Sequence, residues 1–262
     1  MKNIMNNNVI LEINQLPSKL LEENPVFKFA TRPPGVNFYV GIWKRGDQNK
    51  VRLQNGAQSF LIENSISVTA VDEPTSPSEG IVQFIIYSGV ASSDLISHDE
   101  ARRRFTSILK TIRKAGWKKF INEGDPRLIG RDMYKFVLNE SPAASMDTDY
   151  EPTFEEWMRI PSRTRWSFYA NHVYLSVDFS REPTLLDPEK DGAYLVTFTV
   201  DSENEHYRSY VEPDKREDWK SALPAQLAIL PPMRAKAEAE LRAKGVKIDE
   251  TYQDPPKPNL VR

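Results

Sequence analysis

Ile81-Val82-Gln83-Phe84-Ile85-Ile86-Tyr87, followed by Ser97-His98-Asp99-Glu100 and then by Phe105, Ile108, Leu109 and Ile112, is the stretch whose reading decides the fold. β-Branched and aromatic residues fit a pleated, half-buried surface, so the first segment reads as a strand. The second is a capping box, in which the Ser97 hydroxyl takes an early backbone N–H and Glu100 reaches back to the cap. The four apolar residues recur at i, i+3, i+4 and i+7, one stripe that faces a sheet. Gly116 stops this helix, because a residue without Cβ tolerates the left-handed conformation of a C-cap. Lys110, Arg113 and Lys114 suit the negative end of its dipole.

Outward from this unit, Asn37–Trp43, Gln58–Ile62 and Ser65–Val71 read as further strands, and their short spacings favour antiparallel hairpins. Residues 1–35 are polar and punctuated by Pro17, Pro25, Pro33 and Pro34, which predicts a surface arm with at most a short helix near Lys19–Glu23. Residues 139–161 lack sustained periodicity and read as a connecting segment. Within it, Thr153-Phe154-Glu155-Glu156 is a second capping box that opens a short helix carrying Trp157. Arg165–Tyr169 and His172–Phe179 read as a hairpin turning near Asn171, and Ala193–Val200 as a strand. Lys215–Leu230 is helical with Trp219, Leu223, Leu227 and Leu230 on one face, and Pro224 is expected to kink or divide it. After Pro231 and Pro232, Met233–Lys244 reads as a surface helix with Glu238–Arg242 and Glu240–Lys244 pairs, ended by Gly245.

The two helix ends resemble each other. Lys114-Ala115-Gly116-Trp117-Lys118 leads to Asp125-Pro126-Arg127, and Ala243-Lys244-Gly245-Val246-Lys247 leads to Asp254-Pro255-Pro256 in the same register. Upstream, Ser59-Phe60 and Ser167-Phe168 each open a hairpin, and Gly80-Ile81 and Gly192-Ala193 each lead a strand. The expected fold is therefore α+β, two pseudo-repeated halves at 36–138 and 162–262, each an antiparallel sheet covered by helices, with a groove between the lobes. Helix–Gly–strand and Asp-Pro turns are also common punctuation, so the match has a plainer reading as well.

The chain has 262 residues, enough for a full core, and 39% hydrophobic with 27% charged content places it among globular rather than disordered chains. A net charge of −2 gives no positive field to gather phosphates, which disfavours a general nucleic-acid binder. The absence of cysteine excludes disulfides, thiolate nucleophiles and zinc ribbons. There is no G-x-S-x-G, P-loop, G-x-G-x-x-G or H-E-x-x-H. His98, His172 and His206 have no metal-ligand spacing and read as surface or cap residues. Asp147-Thr148-Asp149-Tyr150-Glu151 alternates carboxylates but lacks the glycine and terminal glutamate of a calcium loop. The expectation is no catalytic residue, no metal and no cofactor. No run approaches the ~20 apolar residues of a membrane helix, so no integral membrane segment is expected. The N-terminus lacks an apolar leader, so the expected compartment is cytoplasmic, or periplasmic if a signal peptide has been removed.

Arg102-Arg103-Arg104 with Lys110, Arg113, Lys114, Lys118 and Lys119 makes a basic helix face, and Trp117 would offer a stacking surface. Such a face suits an acidic protein partner, and it is equally what a solvated helix face looks like. His206-Tyr207-Arg208-Ser209-Tyr210 clusters residue types enriched at interface hot spots, or is an amphipathic strand with half-buried aromatics. The candidate partner-binding residues are Tyr207, Arg208, Tyr210, Trp219, Arg103, Lys110 and Lys114.

Asp99-Glu100-Ala101-Arg102-Arg103-Arg104-Phe105, Ala115-Gly116-Trp117, Asp125-Pro126-Arg127-Leu128, Tyr150-Glu151-Pro152-Thr153-Phe154-Glu155-Glu156-Trp157 and Tyr252-Gln253-Asp254-Pro255-Pro256 together resemble a family of Gram-negative bacterial proteins encoded beside type VI secretion toxins. The resemblance covers most of residues 36–256. It implies an immunity protein that binds a cognate toxin effector and covers its active site. A hydrolytic enzyme of unknown class with a site in the inter-lobe groove, and a structural or adaptor protein of a secretion system, are the alternatives.

Overall fold

A computed structural model describes residues 8–31, 36–44 and 49–260. β1 (Asn8–Glu12), α1 (Pro17–Glu23) and β2 (Phe27–Thr31) open the chain. α1 begins on a proline, whose fixed φ and missing N–H suit a first helical position. The stretch expected to lie over the surface is instead built in, because Leu11, Leu20 and Phe27 belong to the main core. Residues 1–7 and 32–35 of that expected arm lie outside the described residues.

β3 (Asn37–Ile42), β4 (Lys50–Gln54), β5 (Phe60–Ile62), β6 (Ser65–Asp72), a 3-10 turn at Pro77–Glu79 and β7 (Ile81–Gly89) follow. β8 (Ile96–Ser97) leads into α2 (His98–Lys114), where the Ser97 hydroxyl accepts the Glu100 N–H at 3.3 Å. β9 (Lys118–Lys119), α3 (Gly130–Asn139) and β10 (Ser145–Met146) precede α4 (Phe154–Arg159), whose Thr153–Glu156 capping box is complete in both directions. β11 (Arg165–Ala170), β12 (Val173–Arg181), β13 (Asp191–Gly192) and β14 (Tyr194–Ser202) lead to α5 (Glu203–Arg208). A 3-10 turn at Pro213–Lys215 and α6 (Trp219–Ala243) complete the order.

Among the described residues the strands form one large sheet and two small ones. The large sheet runs β10-β11-β12-β14-β7-β6-β3-β2, with β9 beside β11. β1, β4 and β5 form a second sheet, and β8 pairs β13. The fold is thus mixed α+β and mostly antiparallel, the exceptions being β1 with β4 and β10 with β11. Two separate sheets with a groove between them were expected. Instead β7 pairs antiparallel with β14 from Leu195–Gly89 to Asp201–Gln83, so one sheet runs unbroken across the middle of the molecule. Phe60 and Phe168, matched in sequence, fall in different sheets. The matched glycines do behave alike. Gly116 (φ +94°) and Gly245 (φ +80°) each donate to the carbonyl three residues back, Arg113 and Arg242, while Trp117 and Val246 donate to Ile112 and Leu241. Both ends are closed by the same six-to-one and five-to-two pairing.

One face of the large sheet carries the main core. Phe105 of α2 meets Trp166, Phe179 and Trp157 with ring centroids 4.8, 5.3 and 5.6 Å apart, and Leu109 and Ile112 continue the stripe read from the sequence. α6 runs as one helix through Pro224, Pro231 and Pro232. A proline removes only its own N–H bond and a local fit, and burial of Trp219, Leu223 and Leu227 on one side outweighs that loss. Its second half is not a plain surface helix, because Leu241 is in the main core and buried Glu238 receives Arg127 Nε at 2.7 Å and Nη2 at 2.8 Å.

Candidate recognition surface

Side chains alternate across a strand, so the large sheet has a second face. On the core side Phe84, Ile86, Val196, Phe198, Val177 and Phe179 are at most 1% exposed. The residues between them form three ladders across β3, β6, β7, β14, β12 and β11. The first is Phe38-Val71-Gln83-Asp201-Tyr174-Tyr169, the second Val40-Thr69-Ile85-Thr199-Ser176-Ser167, and the third Ile42-Ser67-Tyr87-Thr197-Asp178-Arg165.

α5 packs on β14, β12 and β7 at the level of the first ladder. Ser202, the last residue of β14, turns the chain into this helix by accepting the Glu205 N–H at 3.1 Å, and Glu203 and Glu205 suit its first turn. An ion network fixes it: Arg208 pairs with Glu79 and Glu205, and Arg216 with Glu73 and Glu205. Beneath lies a small second core of Phe120, Tyr174, Tyr207, Val211, Trp219, Leu223 and Leu227. In the third ladder Arg163 covers Thr197 and Asp178, donating to the first at 3.2 Å and pairing with the second at 3.1 Å. The second ladder is half-exposed at every position, and neither Val40 nor Ile85 packs into either core. Ile42, at the end of the third, is 68% exposed.

A cavity of about 310 Å³ opens onto this face where α5, the segment 120–125 and strands β11, β12 and β14 meet. Asp201, Asp125, His206, Tyr174, Tyr210 and Arg165 line it, with the hydroxyls of Ser145, Ser167 and Ser176. Burial pushes the Asp201 carboxyl up to about 6; Glu205 adds to this, and a 2.8 Å hydrogen bond from Gln83 Nε2 opposes it. Burial also raises Asp125, against the opposing pull of Arg234. His206 is driven down to about 3 by burial alone, so the ring is neutral at physiological pH. It lies flat on Tyr174, centroids 3.6 Å apart, and its Nε2 is hidden from solvent without a hydrogen-bond partner. The Tyr210 hydroxyl donates to Asn122 Oδ1 at 2.6 Å, and burial raises its pKa.

A second cavity, about 300 Å³, lies near the opposite ends of β7 and β12, lined by Lys44, Ser92, Ser93, Arg181 and Tyr194. Arg181 is engaged there in structure. It donates to the carbonyls of Trp157, Met158 and Ile160 at the end of α4 and lies over the rings of Trp157 and Phe179.

The seven residues singled out in the sequence do not come together. The run His206–Tyr210 is not a strand: its start is the end of α5, and it is turned inward. Tyr207, Arg208 and Trp219 are 1%, 3% and 4% exposed and hold the second core and its ion network, so their side chains offer a partner almost no surface. Tyr210 alone of that group lines the cavity. Arg103, Lys110 and Lys114 are solvent-facing on α2, across the sheet from it, and Arg103 and Lys110 are already paired with Asp99, Glu100 and Glu151. Trp117 is buried and donates to Gln58 O, which removes it as a stacking surface. His98 is buried beside Tyr194 rather than lying on the surface. The alternating acids are also engaged: Asp147 accepts the Gly130 and Asp149 N–H groups, Asp149 pairs Arg113, and Glu151 pairs Lys110. Asp201 and Asp125 were missed: Asp125 reads as part of an Asp-Pro turn, and Asp201 has no local motif. Asp201 is simply the next polar alternate of a strand.

Among the described residues, no group of histidine, aspartate and glutamate has the arrangement to hold a metal ion, and no helix is long and apolar enough to cross a membrane. No protein-family model, curated protein or solved structure matches the chain.

Proposed function

We propose that this chain is a stoichiometric protein-binding inhibitor, an immunity protein that occupies a cognate type VI toxin effector by surface contact and performs no catalysis of its own. The observation that carries this reading is the uncovered second ladder. Six strands spaced ~4.8 Å apart make this row roughly 25 Å long, room for an extended partner segment of about seven residues. Its mixture of β-branched and hydroxyl side chains can exclude water and still satisfy hydrogen bonds at a rim. The family resemblance supplies the kind of partner, and the compartment follows that partner's target, periplasmic for an envelope-directed toxin and cytoplasmic otherwise. Co-expression with the toxin-like product of the adjacent gene tests the function. Co-purification with growth rescue supports it, and failure of both removes it.

A hydrolytic reading draws on the same cavity. Asp125 and Asp201 both line it with raised carboxyls, and a carboxyl held protonated is what a general acid needs. Neither is among the charges acting on the other, so they do not form a proton-sharing pair. His206, near 3, is a weak base. These features lend hydrolysis less support than recognition.

A further inference from the structure

We infer that the cavity between α5, the 120–125 segment and strands β11, β12 and β14 receives a basic side chain, a guanidinium or ammonium group, presented by the protein that docks on the open sheet face. The inference rests on the binding reading above and names what one anchor of that partner is made of.

Charge comes first. The anions lining the cavity are Asp201 and Asp125, and the cation lining it is Arg165. Arg165 stands directly across from Asp178 in the β11–β12 register, a carboxylate that is already paired with Arg163 at 3.1 Å. Arg234, the other cation near Asp125, is held by both oxygens of Asp254 at 2.6 and 3.0 Å, and it reaches Asp125 through the backbone carbonyl at 2.9 Å. Arg234 nonetheless acts on Asp125, whereas the charge acting on Asp201 is that of Glu205, of its own sign, so Asp201 is the carboxylate at the cavity without a counter-charge. An anionic ligand would meet the Asp201 carboxylate, and a purely apolar one would leave it without a counter-charge.

Shape and donors agree with this. About 310 Å³ is at the small end of the range for ligand sites. Tyr210 and Phe120 add aromatic surface to the wall beside the stacked Tyr174 and His206 rings, and an aromatic face attracts a cation within about 6 Å. The bond from Gln83 is directed to Asp201 Oδ1, and an ionised carboxylate has about four acceptor positions. A guanidinium brings five donors in a fixed fork. His206 Nε2, hidden and unpartnered, is a further polar atom at the wall. Continuity places the group: Ser167 and Ser176 belong both to the cavity wall and to the second ladder, so a chain lying on the ladder passes its mouth.

The test uses the full chain and three blocked amino acids. Nα-acetyl-arginine amide, Nα-acetyl-citrulline amide and Nα-acetyl-glutamate amide are titrated while the backbone amide resonances of Asp201, Ser176 and Tyr210 are followed. The arginine derivative is expected to give saturable shifts at these residues and to bind about tenfold more tightly than neutral citrulline, the effect of roughly one charge-assisted hydrogen bond. Asp201→Asn and Asp125→Asn, checked for folding by circular dichroism, are each expected to erase that preference. Equal binding of citrulline, stronger binding of the glutamate derivative, no saturable shift, or an arginine preference that persists in both variants would each overturn the assignment. The two readings fail separately. Arginine binding without toxin co-purification keeps the cavity and removes the immunity reading. Co-purification unchanged in both variants, with no arginine binding, keeps immunity and removes the cavity.

Discussion

Asp201 Oδ1 accepts a hydrogen bond from Gln83 Nε2 at 2.8 Å across the junction of β14 and β7, directly opposite each other in the sheet. The pairing holds a carboxylate at a half-buried place without giving it a cation. Its pKa rises to about 6 from 3.8, burial being the largest cause. An acid whose pKa is raised by folding is favoured when protonated, so its contribution is best below the unfolded value and worsens as the group ionises between about pH 4 and 6. Asp201→Asn is expected to keep the Gln83 bond, to stabilise the fold at pH 7 by roughly 2 to 3 kcal/mol at most, and to flatten the pH dependence in that window. Urea denaturation of both proteins at pH 4 and pH 7 measures this. An equal effect of the substitution at the two pH values would contradict it.

The face assignment is tested by neighbours on one strand. Ile85 belongs to the open ladder and Ile86, fully buried, to the core. Ile85→Lys is expected to change stability by less than about 1 kcal/mol and to abolish co-purification with the toxin-like partner. Ile86→Lys places an unpaired charge in the core and is expected to cost more than about 4 kcal/mol. Thermal melts together with the pull-down separate the two, and the reverse ranking would mean that the faces are exchanged.

Arg208 is expected to act on stability and not selectively on binding. Its guanidinium reaches Glu79 at 2.7 Å and Glu205 at 2.8 Å and lies 5.7 Å from the Trp219 ring. Arg208→Met leaves Glu79 without its cation and Glu205 with Arg216 alone, and breaking a buried pair from one side costs about 3 to 5 kcal/mol. The lower end applies, because both glutamates keep some contact with water. The urea midpoint should fall, with an early change in tryptophan emission as α5 loosens. A variant with an unchanged midpoint and weakened partner binding would return Arg208 to the surface.

Elements closed by a local signal were legible in the sequence. α2 and α4 declare themselves by capping boxes, and β3, β6, β7, β11, β12 and β14 by runs of β-branched and aromatic residues. α5 was misread because six residues are too few for a helical stripe, and Tyr207-Arg208-Ser209-Tyr210 mimics strand alternation. The better signal was Ser202 with acids at 203 and 205. α3 was passed over although Met133, Tyr134 and Val137 make a short stripe. β1 and β4 pair in parallel although α1, β2 and β3 lie between them in the chain, and nothing local announces such a partner. The cavity was illegible for the same reason. Asp125, Ser145, Ser176 and Asp201 come from separate segments and meet only because β7 joins β14 and α5 folds back over the junction.

The two helix-closing glycines give a last test, because the same motif sits in different surroundings. Gly116 and Gly245 both have left-handed backbones, and an alanine in that region costs about 1 to 2 kcal/mol. At Gly245 an added Cβ meets nothing within 4 Å. At Gly116 it comes within 3.3 Å of Gln58 Cγ, and Gln58 is held in place by Asn171 Nδ2, which donates to its Oε1 at 2.5 Å. Gly245→Ala should therefore show the backbone cost alone, and Gly116→Ala that cost plus displacement of Gln58, a larger fall in denaturation midpoint. Replacing Gln58 by alanine in the Gly116→Ala background should return part of the difference. Equal losses at both glycines, with no recovery on trimming Gln58, would show that the side-chain contact contributes nothing and that backbone strain is the whole effect.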